Sequence, residues 1–226
     1  MFNIIKKDFL LSEEQLNNFI EYYNLLLEWN NKFNITSITN EEDVEIKHFY
    51  DSLKGFTLFK ENSTVVEIGS GGGFPSIPLM ILRRDLKFTL IESVGKKCLF
   101  LKEIIKKLNL NATVLNIRAE DGAKNSNLRE SFDHVTARAV ARLNTLAEYC
   151  IPFIKIGGTF IAYKGSDEIE EKEAQTAVKK LGAEFKEKLS YPLFNNGKRN
   201  IYVYKKVEKT DLKYPRGNGK ERKNPL

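Results

Sequence analysis

The stretch VVEIGSGGGFPSIPL, beginning at Val65, places four glycines in five positions (Gly69, Gly71, Gly72 and Gly73) directly after an apolar run. Glycine tolerates positive φ and has no Cβ, so such a bend lets a ligand rest against bare backbone. One acid, Glu67, stands just before the bend, and a second, Glu92, ends the next apolar run in TLIESVGKK, 23 residues after Gly69. Ala119 and Glu120 follow a third run with Arg118 just before them, Arg138 closes FDHVTAR, and Lys164 closes FIAYK. Carboxylates of this kind take hydroxyl groups, and a glycine bend takes a flat or zwitterionic small molecule. Cations near the same place can align an electron-rich second reactant.

These residues need elements that bring them to one place. STVVEIG (63–69), KFTLIES (87–93), ATVLNI (112–117), FDHVTAR (132–138) and GGTFIAYKG (157–165) are short β-rich runs, and helical stretches lie between them at 77–84, 96–109, 143–156 and 167–181. Mostly apolar strands alternating with helices predict a parallel sheet covered on both faces, a doubly wound α/β domain. AEFKEKLSYPL (183–193) and RNIYVYKKV (199–207) flank NNGK with no helix between them, which predicts an antiparallel hairpin on the sheet edge and seven strands in all. Ahead of the sheet, residues 12–31 read as an amphipathic helix opened by a Ser12–Gln15 capping box, with Leu16, Phe19, Ile20, Tyr23, Leu26 and Leu27 on one face. A second helix follows from about Glu41. The expected organisation is a helical extension over 1–60, the α/β domain over 61–207 and a basic strip over 208–226.

In an open parallel sheet, ligands bind outside the carboxyl ends of the strands where the strand order reverses, and the Gly69–Gly73 bend leaves the first strand there. A dinucleotide fingerprint requires a third glycine at the sixth position counted from Gly69, to bring a pyrophosphate onto a helix N-terminus. That position holds Phe74, and Pro75 follows. S-adenosyl-L-methionine has no phosphates, and an acidic strand end, dense glycines and a ribose-binding acid at Glu92 suit it better. An acid at that position also serves nicotinamide sites, so it does not discriminate alone.

The acceptor is narrowed by absences. The fourth strand ends in TARAV, without the acid or Asn, two prolines and aromatic expected for methylation of a base amino group. Neither Cys98 nor Cys150 stands at a strand end, where carbon methylation through a thiolate would need one. Guanine N7 has a free lone pair and needs alignment, not a general base, and its N7 and O6 are adjacent acceptors for Arg or Lys. Arg118, Arg138 and Lys164 suit that role, and His48 is not required as a base, reading instead with Asp51 as packing for the helical extension. A nicotinamide-dependent oxidoreductase and a non-enzymatic RNA-binding protein stay open as alternatives.

The chain of 226 residues is 42% hydrophobic and 29% charged, values that suit a globular protein. Its two cysteines lack metal-site spacing and read as buried reduced thiols, so no metal is expected. No apolar run is long enough to span a bilayer and no signal sequence opens the chain, which predicts a cytoplasmic protein without a membrane partner. The net charge of +6 is concentrated at the end: residues 205–226 carry eight Lys/Arg against three acids, leaving 28 bases against 27 acids before them. Such a strip suits a polyanion or a solvated tail.

WNNKFNITSIT (29–39), HFYDSL (48–53), VVEIGSGGGFPSIPL, LIESVGKKCLFL, RAED, FDHVTARAVARL, AYKG and the terminal KYPRGNGKERKNPL occur in order along the chain. In these motifs the sequence resembles the bacterial glucose-inhibited division protein B family, guanine-N7 methyltransferases of 16S ribosomal RNA. The resemblance implies a Rossmann-like sheet of the class I S-adenosylmethionine-dependent methyltransferases. It implies donor contacts at Gly69, Phe74, Glu92, Ser93, Val94, Ala119, Glu120 and Arg138, beside Gly71 from the bend. It also implies that Arg118, Arg138 and Lys164 face a guanine in the decoding-region loop of the RNA. The partner would be 16S rRNA or the small ribosomal subunit, and the enzyme a monomer. Lys213, Arg216, Lys220, Arg222 and Lys223 would contact RNA, with Tyr214 free to stack on a base.

Overall fold

The computed structural model describes residues 1–167 and 169–226. Among the described residues, seven strands form one sheet in the order β3-β2-β1-β4-β5-β7-β6. The strands are β1 (Thr64–Ile68), β2 (Lys87–Ile91), β3 (Ala112–Leu115), β4 (Phe132–Arg138), β5 (Ile154–Lys164), β6 (Ala183–Pro192) and β7 (Lys198–Lys206). β3, β2, β1, β4 and β5 run parallel. β7 is antiparallel to both β5 and β6. β1 and β4 are hydrogen-bonded neighbours, with Val65 paired to His134 and Glu67 to Thr136. The strand order reverses between them, so a crevice opens beyond Ile68 and Arg138.

Helix α1 (Asn3–Asp8) precedes α2 (Glu13–Asn30), whose capping box is complete: Gln15 N–H donates to Ser12 Oγ at 3.2 Å, and Ser12 N–H donates to Gln15 Oε1 at 2.9 Å. Its buried stripe is Leu16, Phe19, Tyr22, Tyr23, Leu25 and Leu26, rotated from the expected one, with Ile20 and Leu27 only half-buried. The rotation has a cause in the tertiary structure, since α2 packs on both α5 (Ser76–Leu82) and α6 (Gly95–Lys107), and Tyr22 is drawn under the glycine bend. The second expected helix is α3 (Glu41–Val44), which widens into a π-helical turn over Glu45–Tyr50 and ends as α4 (Asp51–Leu53). A wide turn of this kind re-aims the side chains that follow it, and it frequently sits at functional sites.

The core has two halves, one on each sheet face. Phe2, Phe19, Phe49, Phe74 and Phe100 pack with α1–α6 against one face. Aromatic pairs such as Phe19–Phe49 (5.0 Å) hold the N-terminal helices together, and Tyr22–Phe74 (5.4 Å) joins them to the α/β domain. Their geometry adds roughly 0.5–1.5 kcal/mol per pair beyond area burial. The other face is covered by α8 (Leu143–Cys150) and α9 (Ile169–Lys180), with Tyr214 from the C-terminal segment in the same cluster. The stretch expected as one helix over 143–156 leaves helical geometry after Phe153, and β5 starts at Ile154, because Ile154 pairs with Phe132. Cys98 and Cys150 are free and buried. No helix among the described residues is long and apolar enough to cross a membrane.

Candidate functional site

The bend leaves β1 at Gly69, which has φ +69°, and continues through Gly71, with φ +56°. Added to Gly69, a Cβ would lie 2.7 Å from Val140 Cγ2, on the loop after β4, so glycine here lets the two loops meet across the crevice. A Cβ on Gly71 would meet only Gly69 O, at 3.8 Å, and would otherwise project into open space. The bend is therefore a cradle that a side chain at 71 would fill. Two residues hold it in place. Glu92 Oε2 accepts from Gly71 N–H at 2.9 Å while its Oε1 accepts from Val94 N–H at 2.8 Å, so one carboxylate ties the bend to the turn before α6. Each oxygen keeps a lone pair for a ligand hydroxyl. From the other side, the buried Tyr22 hydroxyl donates to Gly72 O at 2.5 Å.

A cavity of about 510 Å³ lies beyond the carboxyl ends of β1, β2 and β3. Ile68, Ile91, Ile117 and Val140 make its apolar floor, while Ser93, Arg118, Ala119, Glu120 and Asp121 supply its polar side. Gly217, Asn218, Gly219 and Arg222 of the C-terminal segment complete its lining with Lys124 and Tyr149. This composition suits a nucleoside: an apolar shelf for a base, with carboxylates and backbone for its amino and hydroxyl groups.

Beside the bend, Arg138 is half enclosed. Its Nη1 donates to Asp51 Oδ2 at 2.9 Å and to Lys47 O at 3.1 Å, and its Nη2 donates to His48 Nδ1 at 3.1 Å. Arginine only donates, so His48 Nδ1 carries the lone pair and Nε2–H donates to Thr36 Oγ1 at 2.9 Å. The Phe74 ring stacks on the His48 imidazole, with centroids 4.2 Å apart, and faces the Arg138 guanidinium at 5.1 Å. Burial first, and the Arg138 charge second, hold the imidazole down to about 3, so His48 stays neutral in the physiological range. The π turn delivers Lys47, His48 and Asp51 to a single guanidinium, where the motifs alone give His48 and Asp51 no more than a packing role.

Glu67, at the end of β1, is fully buried. Burial dominates and pushes its carboxyl up to about 8, against smaller lowering contributions from Ser76 and Arg138. Ser76 Oγ donates to Glu67 Oε2, and Oε1 has no hydrogen-bond partner. An orphaned buried oxygen next to a glycine cradle is an acceptor in wait of a donor. Because the folded carboxyl holds its proton more tightly than the unfolded one, Glu67 stabilises the fold below about pH 4.5, and that contribution is lost as pH rises towards about 8. His48 acts in the opposite sense, gaining stability as pH rises from about 3 to 6.5. The stability advantage of wild type over Glu67→Gln is therefore expected to shrink by up to about 1.4 kcal/mol per pH unit between pH 5 and 8 in urea unfolding. His48 cancels in that difference, and parallel pH curves for the two proteins would refute the buried acid.

Several expected site residues fall elsewhere. Gly69, Ser93, Arg118, Ala119 and Glu120 line the cavity, but Gly71, Phe74, Glu92 and Arg138 are not in its lining, and exposed Val94 borders a smaller cleft with Phe33 and Lys96. Arg118, Arg138 and Lys164 do not form one free cationic surface. Lys164 is paired with Glu170 at 2.6 Å and donates to Ala141 O at 2.9 Å, and Arg138 is tied to Asp51. In the C-terminal segment, Arg216 turns inward onto the fully buried Glu148 through contacts of 2.8–3.2 Å, Arg222 lines the cavity, and Tyr214 is buried and cannot stack on an exposed base. Lys213, Lys220 and Lys223 are exposed. Among the described residues, no group of three or more His, Cys, Asp or Glu side chains could hold a metal ion.

Comparison with solved structures shows the same fold at low sequence identity. The crystal structure of M. jannaschii TYW2 in complex with AdoMet superposes with a TM-score of 0.56 at 17% identity, over 76% of this chain and 80% of that one. Precorrin-6y C5,15-methyltransferase from Geobacter metallireducens superposes with a TM-score of 0.52 at 16% identity, over 78% and 95%. Sequence similarity is far stronger among curated relatives. Ribosomal RNA small subunit methyltransferase G of Clostridium beijerinckii is 43% identical over 221 residues, covering 96% of this chain and 92% of the relative. The protein of the same name from Bacillus pumilus is 45% identical over 226 residues, covering 98% and 95%. The family profile described as GidB, rRNA small subunit methyltransferase G, matches residues 15–202. With the glycine cradle, the strand-end cavity and the relatives in agreement, the chain belongs to the GidB family of ribosomal RNA small subunit methyltransferases.

Proposed function

We propose that this rRNA methyltransferase transfers a methyl group from S-adenosyl-L-methionine to guanine N7 in the decoding-region loop of 16S rRNA. The observation that carries the reading is the Gly69–Gly73 bend, tied down by Glu92 at the crevice between β1 and β4 and opening onto a cavity of nucleoside character. The residues fit that donor. Gly69 and Gly71 leave room for its methionine part, Glu92 has lone pairs for the ribose, and Ser93, Ala119 and Glu120 border the base. When bound, the donor supplies an electrophilic methyl on a sulfonium. The partnerless Glu67 Oε1 supports this reading as an acceptor for the donor's ammonium group, which would draw the carboxyl proton away.

The protein's own groups suit an acceptor that needs no deprotonation. Both nitrogens of His48 are engaged and its neutral form is enforced by burial and Arg138. The thiols of Cys98 and Cys150 are buried and pushed up, so neither is a ready thiolate. What remains is alignment: Arg138, fixed by Asp51 and stacked through Phe74, presents a fixed cation beside the bend. A fixed cation restrains the acceptor and stabilises charge as the methyl moves. Lys213, Lys220 and Lys223 are assigned to the RNA, with Arg118 at the cavity rim; Lys164, held by Glu170, is not. The test is transfer of labelled methyl to unmodified 16S rRNA and to small subunits, followed by base mapping. Label at one N7 in the decoding-region loop is expected, and label on a different atom or RNA would overturn the assignment.

A further inference from the structure

The C-terminal segment carries most of the net charge, yet its anchors face inward. Arg129 donates to the carbonyl oxygens of Ala123, Thr210, Asp211 and Tyr214 at 2.8–3.1 Å, which straps the segment to the loop before β4. Arg216 grips Glu148, and Thr145 Oγ1 donates to Glu221 O at 3.0 Å, which joins the segment to α8. The fully buried Glu221 carboxylate accepts from Gly217 N–H. Buried ion pairs are weak evidence for stability, but removing one partner is costly, so this pair fixes where the chain runs. Between these anchors, Gly217, Asn218 and Gly219 all have positive φ (75°, 56° and 74°) and turn the chain along the cavity mouth. A Cβ on Gly219 would meet nothing within 4 Å.

Arg222 lines the same cavity as the apolar floor of Ile91 and Ile117, and it makes no ion pair among the described residues. A guanidinium and apolar side chains lining one cavity suit a flat aromatic ring, and Glu120 and Asp121 in the same lining can accept from an amino group. We propose that residues 217–222 form the outer wall of the donor site and that Arg222 covers the adenine ring of the methyl donor. This rests on the reading of the cavity as the donor site. The basic strip is then two-sided: Arg216 and Arg222 face the protein and its small ligand, and Lys213, Lys220 and Lys223 face outward.

The experiment is calorimetric titration of the full chain with S-adenosylhomocysteine, which binds without turnover, for wild type, Arg222→Ala and Arg222→Lys. Arg222 is solvent-exposed and its partner is the Tyr149 hydroxyl, a contact at the surface of the cavity, so both variants should melt close to wild type when ligand-free. Arg222→Ala is expected to weaken S-adenosylhomocysteine about tenfold, and Arg222→Lys nearly as much, since lysine keeps the charge but not the plane. Affinity for 16S rRNA should be unchanged in both. As a second measurement, amide exchange across 214–224 in wild type should slow when S-adenosylhomocysteine is added. Unchanged ligand affinity in Arg222→Ala, or a loss of RNA affinity alone, would overturn the proposal. Should wild type itself fail to bind S-adenosylhomocysteine, the donor-site reading fails with it, and the two failures are thereby told apart.

Discussion

Gly71→Val is expected to give a folded protein that no longer binds the methyl donor. The side chain would project into open space, its nearest neighbour being Gly69 O at 3.8 Å, so no core contact is disturbed. The cost to the fold is the left-handed backbone, with φ +56° at this position, roughly 1–2 kcal/mol for a residue with a Cβ. That leaves a domain of ordinary stability standing. Three added carbons would, however, occupy the cradle, and relief by moving the bend would break the Gly71 N–H···Glu92 bond. A loss of donor affinity of about 100-fold or more follows, equivalent to about 2.8 kcal/mol. Calorimetry with S-adenosylhomocysteine reads the affinity and a melting curve reads the fold. Gly69→Val is a poorer probe, because its Cβ collides with Val140 and both measurements would move together. Retained binding in folded Gly71→Val would remove the bend from the donor site.

Replacing Arg138 should be the most damaging single change to the reaction. Arg138→Ala leaves the buried Asp51 carboxylate without its cation, which costs about 3–5 kcal/mol of stability. Arg138→Lys keeps the charge and spares most of that stability but cannot reach Asp51, Lys47 O and His48 together. For the lysine variant, methyl transfer at saturating donor is expected to fall about 100-fold, the scale of a misplaced positioning group. A purely structural role would lower the melting temperature without changing turnover at a temperature where the protein is folded. Proton NMR offers an independent check: the His48 imidazole should titrate higher in Arg138→Ala, because the second-largest of the influences holding it down is gone. Normal turnover in folded Arg138→Lys would take the fork out of catalysis.

Of the two clusters at the site, one was legible in the sequence and the other was not. Gly69, Gly71, Glu92, Ala119 and Glu120 sit at strand ends, and strand ends in a parallel sheet converge by topology alone. Counting along the chain therefore located them without coordinates. The cluster around Arg138 depends on a π turn and on the rotation of α2. Neither leaves a mark in hydrophobic periodicity, so Asp51 and His48 read as packing residues and Tyr22 falls outside the expected apolar face. Burial had a similar hidden effect on charge. Sequence counts Lys164 and Arg216 as free cations, but each faces a carboxylate brought from elsewhere in the chain, Glu170 and Glu148.

By itself, then, the order of residues determined the doubly wound sheet, its antiparallel edge and the strand ends that meet at its crevice, because alternation of strand and helix leaves few ways to bury apolar faces. Which charges stay free, and which wall closes the cavity, were decided only by tertiary packing. A side chain's partner is set by long-range contact, and a terminal strip that looks solvated in one dimension folds back when buried acids such as Glu148 and Glu221 require it.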